Sequence, residues 1–160
     1  MKITNILKST LIASVITATT AYAADESFES SIRLIEPVTV TEVTSLVFPE
    51  QIAGTAQAVT ITPDDTGAAQ FNSAGEPSRN VTASILETSI TMITGTGAAA
   101  SQQIVVNNFS YGGSVAPDGT GAFELDGTLN GIRIGATANI DADDQSGNYV
   151  GTATFRLVYA

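Results

Sequence analysis

Three observations in the sequence predict an all-β fold, an antiparallel β-sandwich. Apolar and polar residues alternate along several short segments, which is the period of a strand with one buried face. These segments are rich in β-branched residues and are separated by glycine, proline and asparagine at spacings suited to turns. No stretch carries a capped helical stripe, so strands joined by short turns argue for a sandwich over a parallel α/β sheet.

The first element is an export signal. Met1 to Ala23 places Lys2 and Lys8 ahead of an apolar run containing Leu11, Ile12, Val15 and Ile16, and Ala21-Tyr22-Ala23 offers small residues for cleavage after Ala23. An amphipathic helix of the folded protein would leave unexplained why both lysines precede the apolar run. The run is too short for a membrane anchor, and no later run is long enough to span a bilayer. Residues 24–160 then form one domain, exported through the inner membrane, long enough to bury a core.

Ala24 to Ser31 is acidic and polar, and alternation begins at Phe28. Phe28, Ile32, Leu34, Val38 and Val40 fall on one face, with Glu29, Ser31, Arg33 and Thr39 on the other, so a strand is expected over about residues 27–40, bent or at an edge because of Pro37. After Leu46-Val47-Phe48, Pro49 and Gly54 mark a break. Ala58 to Thr62 reads as a short strand closed by Pro63-Asp64-Asp65-Thr66-Gly67. Further strands are expected at 81–86, 89–94, 103–109, 121–129 and 132–140, with Asn130-Gly131 as a tight hairpin turn. The last is the clearest: from Gly147 to Ala160, Tyr149, Gly151, Ala153, Phe155, Leu157 and Tyr159 share one face.

Composition removes several kinds of chemistry. There is no cysteine and no histidine, which excludes thiolate and disulfide chemistry and the usual nucleophilic triads. Beyond Ala23 four arginines stand against all sixteen acidic residues, a net charge of −12. Such a surface repels nucleic acid and anionic lipid. No catalytic residues and no cofactor are expected.

Two carboxylate clusters invite a metal reading. Asp141, Asp143 and Asp144 could offer oxygen ligands to calcium, but Ser146 stands where the helix-loop-helix motif has glycine, and Thr152 stands at its closing glutamate. A solvated turn is the preferred reading, here and at Asp64-Asp65. Gly112-Gly113 and Gly119-Thr120-Gly121 lack the lysine of a phosphate loop and read as turns. Phe109-Ser110-Tyr111 could line a sugar-binding face, although core or rim is the commoner fate of such aromatics.

The pair of chain ends is the most informative feature. In donor-strand complementation an extended segment of one subunit completes the open sandwich of the next. Phe28, Ser30, Ile32 and Leu34 give the form of a donor strand, and Gly147, Tyr149, Phe155, Leu157 and Tyr159 mark a C-terminal assembly strand. The competing reading is an ordinary first strand folded onto its own domain. A penultimate tyrosine, an alternating apolar strand and a glycine fourteen residues from the end also resemble bacterial fimbrial subunits of the chaperone-usher route.

More extensively, the chain resembles the secreted bacterial family known as domain of unknown function 4402. The shared pieces are Ile35-Glu36-Pro37-Val38-Thr39-Val40, Leu46-Val47-Phe48 up to Gly54, Gly75-Glu76-Pro77, Val106-Asn107-Asn108-Phe109, Gly135-Ala136-Thr137-Ala138, and Gly147-Asn148-Tyr149-Val150-Gly151-Thr152 running to Val158-Tyr159. The resemblance implies an extracytoplasmic, pilin-like sandwich of immunoglobulin-like kind. The function expected is a structural subunit of a surface fibre, with copies of itself or related pilins as partners and a periplasmic chaperone and usher for assembly. Its destination is the periplasm and then the cell surface. A self-contained secreted binding module, for a glycan or a matrix partner, is the alternative.

Overall fold

A computed structural model describes residues 24–160, so the expected export signal lies outside the described residues. Two compact units divide the chain, Met1–Arg33 and Leu34–Ala160. In the first, residues 24–33 have no regular secondary structure and are exposed. The second is an antiparallel sandwich of nine strands with a single 3-10 turn at Ala100–Gln102.

The larger sheet contains β1 (Thr39–Thr44), β2 (Gln57–Ile61), β3 (Ala69–Ala74), β5 (Ser89–Ile93), β6 (Gln103–Gly113) and β8 (Thr128–Ile140). Its order is β1-β3-β8-β6-β5. On one side of β8 lie β3, paired with residues 128–134, and β2, paired with 136–140. The smaller sheet is β7 (Thr120–Ala122), β4 (Asn80–Ile85) and β9 (Phe155–Tyr159), in the order β7-β4-β9.

Two bulges keep the long central strands apolar on one face. In β8 the extra residue Gly131 (φ +79°) stands between Asn130, opposite Asn72, and Ile132, opposite Phe71. The parity of the strand flips there, so Leu129 and Ile132 both turn inward. Asn130-Gly131 is therefore not the expected hairpin turn: an αL glycine serves a bulge as readily as a turn. In β6 a bulge near Asn108 (φ +51°) shifts register between Asn107 and Ser110, placing Ile104 and Val106 on the same face as Phe109 and Tyr111.

The core has two parts. Between the sheets lie Val81, Ala83, Phe123, Leu129, Ile132, Ile134 and Leu157. Toward the other end of the larger sheet, Ile104, Val106, Ala136 and Ala138 are covered by Leu46, Phe48 and Tyr149. The expected strand over 121–129 ends at Ala122, because Asp126-Gly127 makes a turn in which Gly127 N–H donates to the Glu124 carbonyl at 3.0 Å. Gly112-Gly113, expected as a turn, closes β6 instead.

Candidate functional site

The C-terminal strand ends one sheet and shapes its edge. Antiparallel pairing runs from Val81 opposite Tyr159 to Ile85 opposite Phe155. Ala160 N–H donates to the Asn80 carbonyl and Leu86 N–H to the Thr154 carbonyl, each at 3.0 Å. Hydrogen-bonded positions alternate in such a ladder, so the main-chain groups of Phe155, Leu157 and Tyr159 point away from β4. Among the described strands none pairs with that side of β9.

The opposing sheet shows what this edge faces. Ile85 N–H donates to Tyr111 Oη at 2.8 Å, which sets the end of β4 over β6. Phe155 stacks on Phe71 with ring centroids 4.6 Å apart, which sets β9 over β3. The next strand position outward from β9 therefore lies over β1. The smaller sheet stops short of it, and all six residues of β1 are exposed. Val40, opposite Ser73, and Glu42, opposite Phe71, lie on the inner face, and Val40 is 40 % exposed. The inner face of β1 thus presents Val40 and the Glu42 carboxylate beside an unpaired strand edge.

Tyr159 ties this edge to two distant loops. Its hydroxyl accepts from Glu76 N–H and donates to the Glu36 carbonyl, both at 2.6 Å. Glu36 N–H in turn donates to Glu76 Oε2 at 3.2 Å. The ring meets Phe123 edge-on at 5.9 Å, and the Arg79 guanidinium sits 5.6 Å from its centroid. Gly75 makes this packing possible, since a Cβ there would come within 2.7 Å of both Phe123 and the tyrosine hydroxyl.

The stretch from Gly147 to Ala160 is not the single strand that its alternation predicts. Val150 and Ile93 exchange main-chain hydrogen bonds of 2.9 and 3.0 Å at the β5 edge of the larger sheet. Gly147 and Gly151 allow that approach: a Cβ at Gly147 would lie 2.5 Å from Thr94 Oγ1, and one at Gly151 3.0 Å from Met92 Cγ. The chain then crosses to the other sheet. Glu87 holds the crossing, its carboxylate accepting from Thr154 N–H and Thr154 Oγ1 at 2.8 Å each. The predicted alternation survives the break, with Phe155, Leu157 and Tyr159 turned inward.

A cleft of about 550 Å³ opens beside the second part of the core. Phe48, Val59, Met92, Ile104, Ile140 and Tyr149 line it, with Glu50, Gln51 and Asp144 among its polar groups. Tyr149 Oη lies 2.9 Å from the Ser101 carbonyl and 2.8 Å from that of Gln145, and its one proton can serve either. Desolvation, reinforced by the negative charge of Asp144, holds this phenol above its ordinary pKa.

The aspartates at 141–144 form a turn. Asp144, buried, accepts from Asp141 N–H at 2.8 Å, while Asp141 and Asp143 are exposed. Among the described residues no three acidic side chains come together to hold a metal ion. Asp65 likewise closes its own turn, accepting from Thr62 N–H and Oγ1 at 2.6 and 2.9 Å. Phe109 and Tyr111 pack against the core.

At the other end of the chain the strand expected from Phe28 begins only at Thr39. Residues 24–38 have no strand pairing. Pro37 interrupts the donors of the segment, and alternation alone gives a strand no partner for its main chain. Phe28, Ile32 and Leu34 are 89, 86 and 85 % exposed, and Ser30 is exposed as well. Only Val38 of this alternating set is packed against the core. The Tyr159 junction with Glu36 and Glu76 leaves no signal in the sequence, since the phenol's partners are two main-chain groups that no residue type announces.

A family model described as a domain of unknown function (DUF4402) matches residues 34–159. No curated protein and no solved structure matches the chain.

Proposed function

The chain belongs to the DUF4402 family, and we propose that it is a structural subunit of a bacterial surface fibre, a pilus or fimbria, assembled by donor-strand complementation. The carrying observation is the unpaired outer side of β9 beside the exposed inner face of β1. An extended segment laid along β9 gains main-chain hydrogen bonds and places alternate side chains over Val40. Phe28, Ile32 and Leu34, spaced for one face of a strand and exposed, support the N-terminal segment of a neighbouring copy as that donor. Release of the segment by cleavage after Ala23, delivery by a periplasmic chaperone and usher, and display at the cell surface belong to the same proposal.

The cleft with Phe48 and Tyr149 on its walls favours a second reading, a secreted binding module for a glycan or matrix partner. Hydrodynamic size separates the two. A fibre subunit beginning at Ala24 forms a concentration-dependent ladder of oligomers that collapses to monomer in the double variant Phe28→Asp, Ile32→Asp. A monomer at all concentrations contradicts the fibre reading and leaves the binding module.

A further inference from the structure

We infer that the Tyr159 hydroxyl couples the two assembly surfaces of one subunit, so that filling the open edge of β9 also firms the root of that subunit's own N-terminal segment. The inference rests on the donor-strand reading above and concerns the regulation of the same site.

The connection is short and made of named groups. Tyr159 belongs to β9, and its main-chain groups face the open edge. Its side chain leaves the sheet at right angles to them, inward, to the junction where Oη donates to the Glu36 carbonyl and accepts from Glu76 N–H. Glu36 stands three residues before β1 and two after the boundary at Leu34. Its N–H returns to the Glu76 carboxylate, closing a three-residue ring of hydrogen bonds. Gly75, Phe123 and Arg79 confine the phenol, so the ring has little room to absorb a displacement of β9.

A strand pairing with β9 adds main-chain hydrogen bonds at Tyr159, the last residue of an edge strand, and so further orders its backbone. Ordering the backbone fixes Oη, and a fixed Oη holds Glu36. Tyr159 is thus a positioning residue: the neighbour received at one surface acts on the segment offered at the other, and growth favours subunits already capped.

Amide hydrogen exchange on the chain beginning at Ala24, kept monomeric by Phe28→Asp and Ile32→Asp and otherwise wild type, tests this, with a synthetic peptide of the unaltered residues 24–34 in excess as the donor. Leu157 N–H, on the open edge, reports peptide pairing, and Glu36 N–H reports the root. In this chain both slow on adding peptide, Glu36 by about tenfold, the scale of one net hydrogen bond. With Tyr159→Phe added, Leu157 slows as before while Glu36 does not respond. Equal slowing of Glu36 in the variant overturns the coupling and leaves donor-strand pairing intact. So does a chain retaining Tyr159 in which Leu157 slows and Glu36 does not, an arm that needs no change at Tyr159. If Leu157 never slows, the donor-strand reading fails and the coupling fails with it.

Discussion

Tyr159, the penultimate residue, donates its hydroxyl proton to the carbonyl of Glu36 at 2.6 Å, joining positions 123 residues apart in sequence. The same oxygen accepts from Glu76 N–H. The junction holds the end of the chain, the turn after β3 and the approach to β1 at one point. Tyr159→Phe keeps the ring packing and removes both bonds, so a loss of about 1–3 kcal/mol is expected, read from the midpoint of urea unfolding at unchanged slope.

Gly75 is required by contact, not by conformation. A methyl group placed there meets Phe123 and Tyr159 at 2.7 Å. Gly75→Ala is expected to destabilise the sandwich by about 1–3 kcal/mol. The aromatic near-UV signal should change with it, and an unchanged spectrum and midpoint would show that the junction has slack.

Ile132 has no exposed surface and sits at the centre of the core between the sheets. Truncation to alanine should cost about 2–5 kcal/mol. Val158 lies on the outward face of β9, 45 % exposed, and Val158→Ala should change stability by less than about 0.5 kcal/mol. Comparing the two by thermal unfolding checks the inward and outward parity assigned to these strands.

Four carboxylates, three exposed and Glu87 half-buried, are held below their ordinary pKa by threonines. For Asp65 and Glu87 the largest cause is a bond from the backbone N–H of Thr62 and of Thr154, and for Asp118 and Asp126 it is one from the side chains of Thr120 and Thr128. A depressed folded-state pKa adds stability above the unfolded value, and that stability is lost as pH falls through the folded value. The melting temperature should therefore be level near neutrality and decline below about pH 5. Glu87→Gln should make that decline shallower, and an identical acid profile would mean that the crossing at Thr154 does not depend on the charge.

The strands legible in the sequence were those whose alternation uses large apolar residues. β2, β4, β5 and β6 begin within a residue of the expected positions, and the inward set of β9 was readable from Phe155, Leu157 and Tyr159. β3 is not legible, since Ala69-Gln70-Phe71-Asn72-Ser73-Ala74 buries small and polar side chains and has one large apolar residue. Gly131 looked like a turn because αL glycine is common to turns and bulges, and only the pairing with Asn72 and Phe71 distinguishes them. Residues 28–38 alternate as a strand does, but a strand is defined by its partner, and alternation does not name one.

Donor-strand pairing is tested most directly by a titration. The chain lacking residues 24–34 is mixed with a peptide of those residues, and binding is followed by calorimetry alongside the thermal midpoint. Saturable one-to-one binding that raises the midpoint, and that is lost when the peptide carries Ile32→Asp, is expected of donor-strand pairing. A truncated domain that is a stable monomer and ignores the peptide would contradict it.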